Sequence, residues 1–127
     1  MRTPRRVIAI PNLEGGYPWE DTPEGTLIDA ALAPIIDLFN NHLGVTTRFC
    51  CSGLPEDHGG ETSYCSFYIY FAEPPAWAMK LFTSRGFKRD GSETVRWRAE
   101  YEPLRAHLRD IEAILLDMTR RGGKVAG

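Results

Sequence analysis

The strongest structural signal in the sequence is a short segment in which apolar and aromatic side chains alternate. Phe67, Ile69 and Phe71 would share one face of a strand, and Tyr68 and Tyr70 would share the other. A Glu-Pro-Pro sequence follows and ends the strand. Such a strand has to bury its apolar face against a second layer, which restricts the chain to layered folds that contain a sheet.

The rest of the chain divides into short strand-like segments and longer helical ones. We predict strands at residues 7–10, 45–51, 64–71, 87–89 and 94–101, and helices at residues 26–41, 76–84 and 103–121. Because the strands occur in pairs with helices between them, we predict a two-layer α+β fold, a mixed or antiparallel sheet with helices mainly on one face. Residues 1–127 would form a single domain in which the loop 11–25 and the tail 122–127 are flexible.

Composition disfavours several classes of protein. Of the 127 residues, 43% are hydrophobic and 25% are charged, so an ordinary globular core is expected. The formal net charge of −2 disfavours binding to duplex nucleic acid through a general basic field. No apolar run is long enough to span a membrane, and an odd number of cysteines favours reduced thiols. We therefore expect a cytoplasmic protein with no membrane partner.

The predicted strand at 45–51 runs into a polar turn that is the best candidate for a site. The segment 48–58 reads Arg-Phe-Cys-Cys-Ser-Gly-Leu-Pro-Glu-Asp-His. Arg48 offers a bidentate donor for phosphate or carboxylate. Ser52 offers a hydroxyl, and Gly53 allows backbone amides to approach an anion closely. The predicted ligand-binding residues of this turn are Arg48, Cys51, Ser52, Gly53, Glu56 and Asp57.

The same turn holds the candidate catalytic residues Cys50, Cys51 and His58. A cysteine nucleophile needs a lowered pKa and a base, which Arg48 and His58 would supply, whereas the acidic residues of the turn would raise a thiol pKa. Successive strand residues point to opposite faces, so one of the two adjacent cysteines belongs to the core, and which one stays open. A zinc site needs about four donors. Only one of the two adjacent cysteines can easily point at a metal, so together with His58 and Cys65 the sequence offers three donors, and we predict no metal.

Nine residues before and within this turn form a pattern found in a known family. They are Asp21, Gly25, Asp29, Asn40, Thr46, Thr47, Cys51, Ser52 and Gly53. In this pattern the chain distantly resembles the amino-terminal part of the wybutosine-synthesising methyltransferase family, which acts on a tricyclic guanine in phenylalanine tRNA. The resemblance implies S-adenosylmethionine as cofactor and RNA as partner, and we add the matched residue Asp29 to the predicted ligand-binding residues. The family has an arginine directly after Ser-Gly, where this chain has Leu54.

Residues 26–97 also resemble small uncharacterised proteins of bacteria and phages. These carry a Phe-Cys-Cys-Ser-Gly turn followed by acidic residues and a Tyr-Ile-Tyr-Phe strand, and the likeness implies no activity. We expect a small protein that binds a nucleotide-like or other anionic small ligand at the turn 50–58. The alternatives are an RNA-modifying methyltransferase-like or thiol-dependent enzyme, and a phage-type interaction module that inhibits a host system. RNA and a second copy of the chain stay open as partners.

Overall fold

The computed structural model of the chain describes residues 6–13, 21–59 and 66–122. Its strands in these ranges are β1 (Val7–Ile10), β2 (Asp21–Thr22), β3 (Gly25–Asp29), β4 (Thr46–Cys51), β5 (Phe67–Ala72), β6 (Lys88–Asp90) and β7 (Thr94–Trp97). Its helices are α1 (Ala33–Asp37), which continues into a π-helical turn at Leu38–His42, α2 (Ala76–Thr83) and α3 (Tyr101–Arg120). The helices and antiparallel strands confirm the predicted α+β fold. In the described part of the chain, no helix combines the length and apolar content that a membrane span needs.

The strands are divided between two antiparallel sheets, one ordered β1-β3-β2 and the other β4-β5-β7-β6. The prediction of a helix over 26–41 is wrong in its first part, because β3 pairs with β1, with Ile8 opposite Ile28. The helix begins at Ala33, and Pro34 lies in its first turn, where a missing N–H is tolerated. Residues 14–20 of the predicted loop and 123–127 of the predicted tail lie outside the described ranges.

One face of the four-stranded sheet forms the core with the helices. Phe67, Ile69 and Phe71 are at most 1% exposed, whereas Tyr70 is 37% exposed, so the predicted alternation of β5 is confirmed. The ring of Phe39 meets that of Phe71 edge to face, with 5.4 Å between centroids. Helix α3 packs on the same core through Leu104, Leu108, Ile111 and Leu115.

A bulge in β4 decides which of its side chains face the core. Thr47 lies opposite Phe71, and both are buried. The next pair is Phe49 opposite Tyr70, so Arg48 is the extra residue, and it is exposed. Tyr70 is exposed on the opposite face of the sheet, which we call the outer face, and its strand partner Phe49 is half-buried and also contacts the core.

The bulge also separates the two adjacent cysteines. Cys50 lies opposite the fully buried Ile69 and packs against the core. Cys51 lies opposite Tyr68 on the outer face. Of the two cysteines, Cys50 is therefore the one that faces the interior, and Cys51 is the thiol at the turn.

Candidate functional site

The polar turn after β4 is built around the carboxylate of Asp57. Its Oδ2 accepts hydrogen bonds from the Ser52 hydroxyl at 2.8 Å and from the Ala31 amide at 3.1 Å. Its Oδ1 accepts a hydrogen bond from the Arg6 guanidinium at 3.0 Å. The Asp57 side chain is fully buried, so these bonds replace the water that a carboxylate loses on burial. Asp57 therefore joins the turn to the residue before β1 and to the segment after β3.

Ser52 and Gly53 have structural roles in the same turn. The Ser52 amide donates to Asp29 Oδ2 at 2.9 Å, and its hydroxyl oxygen accepts from a backbone amide two residues further on. Gly53 has φ of +66°, and a Cβ there would lie 2.6 Å from the backbone nitrogen of Ser66. Three of the predicted ligand-binding residues, Ser52, Gly53 and Asp57, are thus buried and hold the turn together.

Glu56 connects the turn to α3. Its carboxylate accepts two hydrogen bonds from the Arg105 guanidinium, at 2.7 and 2.8 Å. This pairing lowers the pKa of Glu56 from 4.5 to about 2 and raises the pKa of Arg105. A pocket of about 260 Å³ opens beside the pair, and its lining includes Arg109 and Glu112. Because two glutamates balance the two arginines, the pocket has no excess positive charge to attract an anion.

Three side chains with ligating or catalytic chemistry converge beside this network. Asp29 ends β3, Cys51 ends β4, and His58 lies in the turn. His58 Nε2 is 3.2 Å from Asp29 Oδ2 and 3.4 Å from Cys51 Sγ. The three donor atoms all lie within 4.8 Å of one another. The Asp29 side chain is only 3% exposed and that of His58 is 25% exposed. We call Asp29, Cys51 and His58 the donor cluster.

The donor cluster contains two of the three catalytic candidates, Cys51 and His58, but not Cys50. In a nucleophile–imidazole–carboxylate triad, one ring nitrogen serves the nucleophile and the other serves the carboxylate. Here the same nitrogen, Nε2 of His58, approaches both the thiol and the carboxylate. The arrangement resembles donors around a common centre more than a proton relay. Cys65, which the sequence offers as a further thiol, lies outside the described residues.

Cys51 also begins a row of side chains that crosses the outer face. The strand pairing places its members opposite one another in the order Cys51, Tyr68, Arg96 and Lys88. We call these four residues the cross-strand row. The guanidinium carbon of Arg96 lies 5.4 Å from the centre of the Tyr68 ring, and burial raises the pKa of the Tyr68 hydroxyl. An aromatic ring therefore separates the donor cluster from cationic side chains.

The far end of the row opens into a shallow basic depression of about 380 Å³, lined by Lys88, Arg89, Asp90, Arg96 and Arg98. Asp90 pairs with Arg96 at 2.6 Å, and the other lining residues give the depression an excess of positive charge. The alternation of β7 predicts that Arg96 and Arg98 lie away from the core. It does not show that Arg96 lies in a row with Cys51, because that neighbourhood depends on the register of three strands.

The chain matches no protein-family model, no curated protein and no solved structure. The resemblances to the wybutosine-synthesising methyltransferases and to small phage proteins therefore stay predictions.

Proposed function

We propose that this protein binds a nucleotide-like anionic ligand on the outer face of the four-stranded sheet. The observation that supports this proposal is the cross-strand row, in which a tyrosine ring lies between the donor cluster and a basic depression. An aromatic surface next to cations suits a ligand that combines a flat base with phosphate groups.

The dimensions of the row suit such a ligand. Neighbouring strands lie about 4.8 Å apart, so the four residues of the row span about 14 Å. A base stacked on Tyr68 would displace the Arg96 guanidinium from that ring, and the guanidinium would then neutralise the phosphates together with the ammonium group of Lys88. The exposed Tyr70 extends the aromatic surface along the same face, and its ring meets that of the half-buried Phe49 edge to face, with 6.2 Å between centroids.

The proposal keeps the predicted class of ligand but changes the residues that bind it. Cys51 and the exposed Arg48 stay at the proposed surface, whereas the buried Ser52, Gly53 and Asp57 shape the turn beside it. We also propose that the protein is cytoplasmic. Single-stranded RNA presents the same base and phosphate groups as a free nucleotide, so the experiment has to distinguish these two sources.

Calorimetric titration with nucleoside diphosphates, inorganic pyrophosphate and a short oligoribonucleotide tests the proposal. Tyr68→Leu should weaken nucleotide binding by about 1–3 kcal/mol, the contribution of one stacked base, and leave pyrophosphate binding unchanged. Arg96→Gln should weaken both. Arg109→Gln is the matched control, because this exposed arginine lines a different pocket.

Three results would contradict the proposal: no binding of any nucleotide or oligoribonucleotide, equal losses in the Arg96 and Arg109 variants, or nucleotide binding that is indifferent to Tyr68. Tighter binding of the oligoribonucleotide than of any mononucleotide would identify RNA as the source of the base. The reverse order of affinity would identify a free nucleotide.

A further inference from the structure

We propose that the donor cluster is a binding site for Zn²⁺ or a chemically similar divalent transition-metal ion. The site would use Asp29 Oδ2, Cys51 Sγ and His58 Nε2 as ligands. This proposal goes beyond nucleotide binding and is independent of it, because it concerns three side chains whose arrangement requires no nucleotide.

Two of the three distances between the donor atoms are close to those of a tetrahedral metal site, and the third, between the Asp29 oxygen and the Cys51 sulfur, is at most 4.8 Å. Metal bonds of about 2.0–2.3 Å at tetrahedral angles place nitrogen and oxygen about 3.3 Å apart, and nitrogen and sulfur about 3.6 Å apart. In the structure His58 Nε2 is 3.2 Å from the Asp29 oxygen and 3.4 Å from the Cys51 sulfur. An ion bound to this nitrogen can therefore reach each of its two neighbours, and it binds both at once when the Asp29 oxygen and the Cys51 sulfur lie about 3.6 Å apart.

The use of one imidazole nitrogen favours an ion over a set of hydrogen bonds. Nε2 of His58 carries either one proton or one lone pair, so it can donate to, or accept from, one partner in good geometry. The structure directs a carboxylate oxygen and a sulfur at this same nitrogen. An ion located between the three atoms would accept a lone pair from each of them at the same point.

The chemistry of the donors selects the class of metal. A thiolate together with an imidazole suits zinc and its transition-metal neighbours, whereas calcium and magnesium prefer oxygen ligands. A thiolate and a carboxylate carry two negative charges, which a divalent cation balances in a cluster whose carboxylate is almost fully buried. Three protein ligands leave a fourth tetrahedral position for water or for an anionic group of a ligand.

The surroundings also orient one ligand for an ion. The Ser52 amide donates to Asp29 Oδ2 at 2.9 Å, and the Ser52 hydroxyl is in turn held by Asp57 at 2.8 Å. Such bonds to a ligating carboxylate are typical of metal sites, since they fix the direction of its lone pairs. The prediction of no metal from the sequence considered only Cys50, Cys51, His58 and Cys65. It omitted Asp29, which enters the site through the three-stranded sheet.

The test is a titration of untagged, chelator-treated and reduced protein with Co²⁺, which reports a thiolate ligand by a charge-transfer absorption band. We expect a band that saturates at one ion per chain and disappears when Zn²⁺ displaces Co²⁺. Cys51→Ser should abolish the band, and His58→Gln and Asp29→Asn should each weaken binding by more than the roughly 10–100-fold that loss of a supporting residue costs. Cys50→Ser and His42→Gln are matched controls that should bind as wild type does.

The wild-type titration needs no variant, so a variant that fails to fold, as judged by circular dichroism, does not remove the test. Absence of a charge-transfer band in wild-type protein would overturn the proposal. A band that survives Cys51→Ser, or that is lost equally in Cys50→Ser, would also overturn it. No nucleotide is present in these measurements, so failure here leaves the proposed function intact, and failure of nucleotide binding leaves the metal site intact.

Discussion

The close approach of Gly53 to the start of β5 leads to a sharp prediction about stability. Gly53 has φ of +66° and Gly44 has φ of +69°, so an alanine at either position has to adopt the left-handed conformation. This conformation costs about 1–2 kcal/mol for a residue with a Cβ. The two sites differ in their surroundings: an added Cβ meets nothing within 4 Å at Gly44, but at Gly53 it lies 2.6 Å from a backbone nitrogen.

The steric difference sets the size of the expected effect. Both backbone segments at Gly53 belong to the buried turn or to the start of a central strand, so they cannot move apart without disturbing the core. Forcing one extra carbon into such a packed region typically costs about 1–3 kcal/mol. We therefore expect Gly44→Ala to lower the free energy of unfolding by about 1 kcal/mol, and Gly53→Ala to lower it by about 2–4 kcal/mol.

Urea denaturation followed by tryptophan fluorescence measures both variants under the same conditions, with wild type as reference. The slope of the free energy against urea should be unchanged, since the folded state is the same. If the two variants lost equal stability, the cost would be conformational only, and the proposed contact between the turn and β5 would be refuted. Retention of full stability by Gly53→Ala would refute the left-handed conformation as well.

Two further predictions concern the carboxylates of the turn. Glu56→Gln should lower the free energy of unfolding at neutral pH, because it removes the ion pair with Arg105. The expected loss is only about 1 kcal/mol, because water screens part of this pair. Since the folded pKa of Glu56 is depressed to about 2, urea titrations should show this difference shrinking as pH falls from 4.5 towards 2. Glu102 contacts the same arginine, but its side chain is 83% exposed, so Glu102→Gln should have a smaller effect. An equal effect would contradict the conclusion that Glu56 is the main partner of Arg105. Asp57→Ala should lower the free energy of unfolding by about 3 kcal/mol in the same assay, because it leaves both the buried Ser52 hydroxyl and the Ala31 amide without their acceptor, and a loss below 1 kcal/mol would contradict that role.

The elements that the sequence predicts well are those whose local pattern admits a single interpretation. Helix α3 is predicted within two residues at its start, because its apolar residues follow one helical period. Strand β1 is predicted as found, because Val7–Ile10 is a short, largely β-branched apolar run. Residues 26–29 are different, since a Thr-Leu-Ile-Asp sequence fits the start of a helix as well as a strand. Pairing with β1 decides in favour of the strand, and this pairing cannot be deduced from local sequence preferences.

The choice between the two cysteines shows a second limit of local patterns. Alternation predicts that one of Cys50 and Cys51 faces the core, and it also places Arg48 on the same face as Cys50. The bulge at Arg48 breaks this relation, so the arginine is exposed while Cys50 packs against the core. An extra residue in one strand has no reliable signature in a single sequence, because it is defined by the partner strand.

The candidate site depends both on strand pairing and on the bulge in β4. Ser-Gly and the acidic residues of the turn are conspicuous because they are turn formers, and the structure uses Ser52 and Asp57 to build the turn. The three residues of the donor cluster come from β3, from β4 and from the turn, and only Cys51 and His58 are close in sequence. Asp29 joins them because β3 ends beside β4, through a hydrogen bond from Ser52. Substitutions of the turn formers should therefore reduce stability first, whereas substitutions in the donor cluster should reduce metal binding in a chain that still folds. This separation of effects distinguishes a built site from a chance juxtaposition of reactive side chains.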